Sequence, residues 1–322
     1  MEIISNCTQD VIERAAKALR EGHLVAFPTE TVYGLGADAT NEKAVSRIYS
    51  VKGRPTDHPL IVHIASINQL DKWAIDIPEY AIKLAREFWP GPMSLILKRG
   101  HLAKDFITGG QENVGLRIPN QSTALALLNE FQRLGGFGIA APSANRFGAV
   151  SPTNAEAVVD ELSKFLGVED LILDEGDCVV GVESTIIDCT KEFPIVMRPG
   201  AITNELIAKI LGQSINPENK ISEVRAPGLL EFHYSPKAKV VIGCSAEPGD
   251  GFIALENIPT PIGAIRLTSP KNVEEYAKVL YGALRSGDQY GLKKIMACAP
   301  SGDGLAVAIR DRLGKATGGK VH

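Results

Sequence analysis

The sequence predicts an α/β fold in two parts, a large N-terminal domain and a small C-terminal unit. Three observations predict it. Short apolar runs alternate with segments of helical periodicity along most of the chain. A polar segment without periodicity, residues 212–237, interrupts this alternation and is broken by Pro217, Pro227 and Gly228. The length of 322 residues with 44% hydrophobic content is enough for one large core and a smaller one.

In the large domain, residues 1–211, we expect a helix that starts near Asp10 and Glu13, spaced like a capping box, and stops at Gly22. Asn41 is placed to cap a second helix over residues 42–51. Residues 28–38 read as a glycine-containing loop that joins a strand to this helix. The remaining helices are predicted at 81–88, 122–132, 154–162 and 203–211, and the strands at 24–27, 60–64, 94–98, 114–118, 138–141, 171–174, 185–189 and 195–197.

The C-terminal unit, residues 238–322, repeats the alternation on a smaller scale. Strands are predicted at 240–242, 252–255, 262–267 and 295–297, and helices at 273–285 and from about 305 to 313. We interpret residues 212–237 as the linker between the two domains.

Composition restricts the class of protein. The net charge of −4 argues against a surface built for non-specific binding of polyanions. Residues 238–322 hold 11 Lys and Arg against 8 Asp and Glu, a mildly basic balance that is compatible with weak RNA binding. No apolar run reaches the ~20 residues of a membrane helix, and the first residues lack the pattern of a signal peptide. We therefore expect a cytoplasmic protein without membrane contact.

The five cysteines and six histidines are scattered. Because the cysteine count is odd and no C-x-x-C pair occurs, we expect reduced and mostly buried thiols. The histidines show no spacing typical of metal ligands, so no protein metal site is predicted.

Chemistry-bearing residues lie at the ends of the predicted strands, where ligands bind in open α/β sheets. In residues 28–38, Gly34 and Gly36 permit close backbone approach and Thr31 offers a hydroxyl. Lys52 and Arg54 are two cations that could clamp a polyphosphate. A glycine turn and ordinary cations at a helix C-terminus explain these segments equally well when each is taken alone.

Further strand ends carry the same residue types. Arg117 alternates with apolar neighbours and could bind a carboxylate, or form a structural ion pair. Ser143 and Asn145 supply a hydroxyl and an amide, Ser184 a second hydroxyl and Arg198 a cation. Turns and caps explain each segment singly, but not why five strand ends share oxygen-binding groups or cations.

Taken together, these motifs resemble the threonylcarbamoyl-AMP synthase family with the YrdC-like fold. The motifs that carry the resemblance are Pro28-Thr-Glu-Thr-Val-Tyr-Gly-Leu-Gly, Lys52-Gly-Arg-Pro, Pro59-Leu-Ile-Val-His, Trp89-Pro-Gly-Pro, Ser143-Ala-Asn, Ser151-Pro-Thr, Glu183-Ser-Thr-Ile and Arg198-Pro-Gly. His233-Tyr-Ser-Pro resembles the linker signature of the two-domain branch of that family. The resemblance implies a large twisted mixed-sheet domain followed by a small Rossmann-like domain.

It also implies a reaction. L-threonine and bicarbonate or carbon dioxide form a carbamate, which attacks the α-phosphorus of ATP to give threonylcarbamoyl-AMP and pyrophosphate. Magnesium would accompany ATP without a protein cage. A separate transferase, in transient contact at most, would use the product to form threonylcarbamoyladenosine in tRNA.

Site residues follow from the same resemblance. Lys52 and Arg54 are the catalytic candidates, and Tyr234 on the linker would close over the nucleotide as a lid. The threonine-binding candidates are Thr31, His63, Arg117, Ala141 and Ser184. The ATP-binding candidates are Lys52, Arg54, Thr56, Asn113, Ser143, Asn145, Ser151, Arg198 and Tyr234.

Two other functions remain open at this point. One is an RNA-binding regulatory module of the same fold without synthase activity, which the acidic first 237 residues disfavour. The other is a carbamoyl-adenylate enzyme like the hydrogenase-maturation carbamoyltransferases, whose acylphosphatase and zinc-finger segments are not visible in this sequence.

Overall fold

A large mixed β-sheet organises the first two hundred residues. The computed structural model describes residues 1–213, 215, 224–228 and 234–317. Within them the strands of this sheet are β1 Glu2–Ser5, β2 Val25–Phe27, β3 Gly34–Asp38, β4 Ile61–His63, β5 Met93–Lys98, β6 Asn113–Arg117, β7 Ile139–Ala140, β8 Leu171–Asp174, β9 Thr185–Asp188 and β10 Ile195–Arg198. Their order is β1-β8-β2-β3-β7-β4-β6-β5-β9-β10.

Strand direction changes several times across this sheet. β4 and β6 are parallel, while β3 and β4 each pair with β7 in antiparallel fashion. Because β4 and β6 run in the same direction, their last residues, His63 and Arg117, are direct register partners. This pairing places two site candidates side by side although 54 positions separate them in the sequence.

Helices cover the sheet and enclose two apolar cores. They are α1 Gln9–Arg20, α2 Glu42–Lys52, α3 Leu70–Trp73, α4 Glu79–Phe88, α5 Asp105–Thr108, α6 Ser122–Arg133, α7 Ala155–Leu162 and α8 Asn204–Leu211. The predicted cap of α2 is present, since the Asn41 side chain accepts a hydrogen bond from the Ala44 backbone. Gly53 ends α2 in the left-handed conformation, which directs the chain toward Arg54.

The C-terminal unit contains a parallel sheet in the order β11-β14-β12-β13. Its strands are β11 Lys239–Ile242, β12 Gly251–Ile253, β13 Ile265–Thr268 and β14 Lys294–Ala297, and its helices are α9 Val273–Gln289 and α10 Leu305–Ala316. The prediction of a small parallel α/β unit after a large mixed-sheet domain is confirmed. The predicted domain limits stay a prediction, because much of residues 212–237, including His233, lies outside the described residues.

Three local predictions were wrong. The segment 28–38 is not a loop throughout, because Gly34–Asp38 forms β3 and pairs with β2 and β7. The strand β1 was missed. Helix α1 begins after Thr8, which makes no side-chain cap, so the spacing of Asp10 and Glu13 does not produce a capping box.

The prediction of reduced cysteines was also wrong, because Cys244 and Cys298 form a disulfide with their Cα atoms 4.6 Å apart. They follow β11 and β14, whose last residues are register partners. Since 54 positions separate the two cysteines, only the strand order reveals the pair. Cys178 and Cys189 are buried thiols as expected, and Cys7 is half-buried.

No helix within the described residues combines the length and the apolar character that crossing a membrane requires.

Candidate active site

A pocket opens at the ends of several strands of the large sheet. Its lining combines residues of β4, the last residues of β6 and β10, and segments after β2, α2 and β7 and before β9 with the described part of the linker. The lining residues are Thr29, Val32, Gly34, Arg54, Ile61, His63, Arg117, Ala141, Pro142, Ser143, Glu183, Ser184, Arg198, Pro227, Gly228 and Tyr234.

Three buried guanidinium groups face this pocket. Arg117 and Arg198 are the last residues of β6 and β10, and Arg54 follows α2. Arg54 donates to the backbone oxygens of His58 and Pro59, and burial lowers the pKa of its guanidinium to about 10. A pocket with three buried cations attracts anionic ligands.

Arg117 is held by two residues of the loop before β3. Its Nη2 lies 2.8 Å from Oε1 of Glu30 and donates to Oγ1 of Thr31 at 3.0 Å. The Thr31 hydroxyl in turn lies 2.8 Å from Oγ1 of Thr29. The loop thus fixes the guanidinium at the base of the pocket.

His63 lies beside Arg117 and is almost fully buried. Burial, together with the nearby charge of Arg117, lowers the pKa of its imidazole to about 3. Its Nδ1 has no hydrogen-bond partner within the described residues. The neutral ring therefore offers an open hydrogen-bonding position next to a cation.

Lys52 lies behind the pocket wall and not in its lining. Its Nζ donates to the backbone oxygens of Ser143 and Asn145, each at 2.5 Å. Burial and the charge of Arg54 lower the pKa of this amine well below its usual range. In this structure Lys52 shapes the turn from Ser143 to Asn145. Ser143 lines the pocket, whereas Lys52 and Asn145 do not.

Ser184 lies between two partners. Its Oγ is 2.8 Å from Oγ of Ser94, and its backbone oxygen accepts from Nε and Nη2 of Arg198 at 3.0 and 2.9 Å. Nη1 of Arg198 donates to the backbone oxygen of Pro227 in the linker. The guanidinium therefore joins the start of β9 to the linker.

Glu183 brings a carboxylate to the pocket lining. Burial favours its neutral form, but the charges of Arg312 and Arg198 and a hydrogen bond from Ser151 outweigh burial and lower its pKa to about 2. Its oxygens accept from Ser151 and Arg312, and also from the hydroxyl of Tyr281. This carboxylate is thus ionised and fully engaged with protein donors.

Tyr234 reaches the pocket from the linker. It is buried, has φ of 63°, and its ring stacks on Tyr281 with centroids 5.6 Å apart. A Cβ at Gly228 would lie 2.3 Å from the Tyr234 hydroxyl, so the close approach of these two linker residues needs a glycine.

The structure brings most predicted site residues to one region. Those in the pocket lining are Arg54, His63, Arg117, Ala141, Ser143, Ser184, Arg198 and Tyr234. Those packed directly behind the lining, through the contacts described above, are Thr31, Lys52, Asn145 and Ser151.

Two candidates are not in the lining of this pocket. Thr56 is exposed in the turn after Pro55. Asn113 begins β6, at the opposite end of that strand from Arg117, and lines an adjoining small cleft that shares Ile61 and Pro227 with the pocket. Strand direction explains the second case, because the two ends of β6 face opposite edges of the sheet.

Sequence reasoning gave no role to Glu30, Glu183, Tyr281 or Arg312. The first two stand inside recognised motifs, so their position was a usable signal. Arg312 meets Glu183 across 129 positions, and no local pattern indicates that contact.

No cluster of three or more His, Cys, Asp or Glu side chains suited to a metal ion occurs among the described residues.

A buried, cation-lined pocket at the strand ends of a mixed α/β sheet is typical of an enzyme that binds small anionic substrates. Comparisons with known proteins specify the family. The family model named Sua5_yciO_yrdC, described as Telomere recombination, matches residues 17–200, and the model described as Threonylcarbamoyl-AMP synthase, C-terminal domain, matches residues 202–318. The chain belongs to the threonylcarbamoyl-AMP synthase family, in its two-domain form.

Its relatives match over nearly their full length. The threonylcarbamoyl-AMP synthase of Pyrococcus abyssi is 40% identical, covering 100% of this chain and 99% of the relative, and that of Bacillus subtilis is 39% identical, covering 96% and 94%. A crystal structure of P. abyssi Sua5 complexed with L-threonine has a TM-score of 0.88 at 38% identity and covers 98% of this chain and 97% of that one. The predicted fold, family and enzyme class are confirmed.

Proposed function

We propose that this protein condenses L-threonine, bicarbonate or carbon dioxide, and ATP into threonylcarbamoyl-AMP with release of pyrophosphate. The observation that carries the proposal is the convergence of Arg54, Arg117 and Arg198 on one pocket that also holds Ser143 and Ser184. Such a pocket matches two ligands that both carry negative charge, an amino acid and a nucleoside triphosphate.

The threonine half of the proposed site lies around Arg117. Its guanidinium, fixed by Glu30 and Thr31, retains Nε without a partner within the described residues, so it can still bind the substrate carboxylate. His63 and Ser184 offer polar groups for the amine and hydroxyl of threonine. Ala141 supplies a small apolar surface beside them.

The nucleotide half lies toward Arg54, Ser143 and Arg198. The two guanidinium groups would neutralise phosphate oxygens, and the turn that Lys52 shapes would contact ribose or phosphate. ATP would also raise the pKa of the buried Lys52 amine and favour its cationic form. Tyr234, already placed over the pocket, would pack against the bound nucleotide.

The chemistry needs positioning more than a protein nucleophile. The unprotonated amine of threonine attacks carbon dioxide, a C–N bond forms and a proton leaves. A carbamate oxygen then attacks the α-phosphorus, and the bond to the pyrophosphate oxygen breaks. The cations hold the two anions close together and stabilise the charge on the transferring group.

We propose magnesium as the companion of ATP rather than as a resident of the protein. Glu183, the carboxylate in the pocket lining, is occupied by Ser151, Tyr281 and Arg312. Phosphate oxygens and water are therefore the fitting ligands, and the ion would neutralise the pyrophosphate leaving group. The product would pass to a separate transferase that forms threonylcarbamoyladenosine in tRNA.

The test is mass detection of threonylcarbamoyl-AMP, with parallel measurement of pyrophosphate, after incubation with magnesium ATP, L-threonine and bicarbonate. We expect both products, and neither when threonine or bicarbonate is omitted. Arg117→Gln should abolish them, whereas Arg86→Gln, at an exposed position of α4, should not. RNA binding without these products would contradict the proposal and favour the regulatory module.

A further inference from the structure

The C-terminal unit shares a core with the wall of the substrate pocket. Val32, Val150 and Val182 of the large domain belong to the same apolar cluster as Tyr281 and Leu284 of α9. At Gly181, with φ of 80°, a Cβ would lie 2.4 Å from Cα of Lys278. Helix α9 therefore packs against the backbone of the large domain, two residues before Glu183.

Two side chains of the C-terminal unit hold the Glu183 carboxylate. The Tyr281 hydroxyl and Nε of Arg312 both donate to Oε2 at 2.8 Å, while Ser151 donates to Oε1 at 2.6 Å. Arg312 is 0% exposed, and its Nη2 also donates to the backbone oxygen of Glu183. A buried carboxylate with these donors has one defined position.

The position of Glu183 also affects where the neighbouring pocket residue Ser184 lies. Ser184 follows Glu183 directly, and Arg198 donates two hydrogen bonds to the Ser184 backbone oxygen. The segment 183–184 is therefore held between Arg312 and Arg198. A shift of the Glu183 backbone, which Arg312 also binds, would move the adjoining Ser184, because one peptide unit joins the two residues.

The same two side chains support Tyr234. Its ring stacks on Tyr281 at an interplanar angle of 27°, and the Arg312 guanidinium carbon lies 5.5 Å from the Tyr234 ring centroid. Tyr281 and Arg312 thus contact both the pocket wall and the proposed lid.

Helix α9 also reaches the nucleotide half. Arg285, one turn after Tyr281, forms an ion pair with Glu161 at 3.0 Å and donates to the backbone oxygen of Val150. Glu161 accepts from the Arg146 backbone, close to the turn that Lys52 shapes. Side chains of α9 therefore contact the large domain behind both halves of the pocket.

We infer that Tyr281 and Arg312 are positioning residues of the active site, and that the C-terminal unit acts as a brace that fixes Glu183, Ser184 and the lid Tyr234. The inference rests on the proposed function, because its test measures the KM for L-threonine. It predicts that loss of the Tyr281 hydroxyl disturbs substrate binding without unfolding the chain.

The chain offers a matched control. Tyr276 and Tyr281 both lie on α9, both are 0% exposed, and each donates its hydroxyl, Tyr276 to the Cys298 backbone within the C-terminal unit. Tyr281→Phe should raise the KM for L-threonine about tenfold, as expected for one hydrogen bond to a charged group, with kcat within threefold. Tyr276→Phe should leave KM unchanged, although it too removes a buried hydrogen bond and should lower the thermal stability.

These readouts separate positioning from stability. Partial unfolding reduces the concentration of active enzyme and therefore kcat, but leaves the KM of the folded fraction unchanged. A second comparison, Glu183→Gln alone and combined with Tyr281→Phe, should give effects on KM that are not additive.

Equal KM values for the two phenylalanine variants and the wild type would overturn this inference while the synthase reaction stands. Absence of threonylcarbamoyl-AMP with the wild-type protein would instead overturn the proposed function, and the inference with it.

Discussion

Arg117 and Glu30 form an ion pair in which Nη2 lies 2.8 Å from Oε1 and the side chains are 6% and 5% exposed. Within the described residues, neither Glu30 oxygen accepts a well-oriented hydrogen bond, and Nε of Arg117 has no acceptor. The pair thus balances charge without using all of the guanidinium donors. In the proposed function, the substrate carboxylate would accept hydrogen bonds from the donors that Glu30 leaves unused.

Glu30→Gln should therefore destabilise the protein by about 3–5 kcal/mol, because it leaves Arg117 buried without a counter-ion. Urea unfolding measures this loss. L-threonine should raise the melting temperature more in the variant than in the wild type, since its carboxylate replaces the missing charge. Glu2→Gln, which breaks the exposed pair with Arg14, should unfold like the wild type. Equal threonine shifts in variant and wild type would count against a carboxylate site at Arg117.

Lys52→Ala should abolish pyrophosphate release and also destabilise the chain by about 2–5 kcal/mol. The reason is that the change leaves the backbone oxygens of Ser143 and Asn145 buried without their donor. Lys43→Ala, on the exposed face of the same helix, should stay within about 0.5 kcal/mol of the wild type. A Lys52→Ala protein of wild-type stability would show that the amine does not shape this turn.

The stability of the protein should fall on mild acidification because of His63. Its folded pKa of about 3 lies below the unfolded value of 6.5, so the unfolded chain binds the proton first as the pH decreases. The stabilisation is complete above pH 6.5 and is lost progressively toward pH 3. Between pH 7 and 5.5 the wild type should lose about 1 kcal/mol more than His63→Gln, as measured by urea unfolding at both values. Parallel pH profiles would contradict a buried neutral imidazole.

Gly181→Ala should separate α9 from the large domain, because the new Cβ would lie 2.4 Å from Cα of Lys278. Gly176→Ala is the control: its φ of 77° is similar, but no described atom lies within 4 Å of the added Cβ. The control should cost about 1–2 kcal/mol from backbone strain alone. Thermal unfolding should show a loss at least twice as large for Gly181→Ala, and similar losses would mean that α9 can move away at little cost.

The sequence predicted the alternation of elements well because apolar periodicity is a local property. Strand β3 was not predicted because Gly34, Gly36 and Asp38 are poor strand formers. A Cβ at Gly36 would lie 2.8 Å from the Ile139 side chain and 2.9 Å from that of Phe27. The glycine that suggested a loop is therefore required by the close packing of a buried strand.

The pocket was predictable as a set of residues but not as a set of contacts. The family resemblance placed Arg54, Arg117 and Arg198 in one site, and the positions of Arg117 and Arg198 at strand ends agreed with it. Several contacts of the pocket join distant segments: Arg117 meets Thr31 across 86 positions, and Arg312 meets Glu183 across 129. Asn113 begins β6, at the opposite end of that strand from Arg117, and does not line the pocket, so its assignment to ATP stays a prediction.

The packing of α9 on the large domain also bears on how the chain can be divided. A protein shortened to the first 237 residues would turn Val32, Val150 and Val182 toward water and leave Glu183 without two of its donors. The fragment would contain every recognised motif and yet expose apolar side chains and a carboxylate short of hydrogen-bond donors beside the pocket. Removing the C-terminal unit at this boundary would therefore expose groups that the intact chain buries.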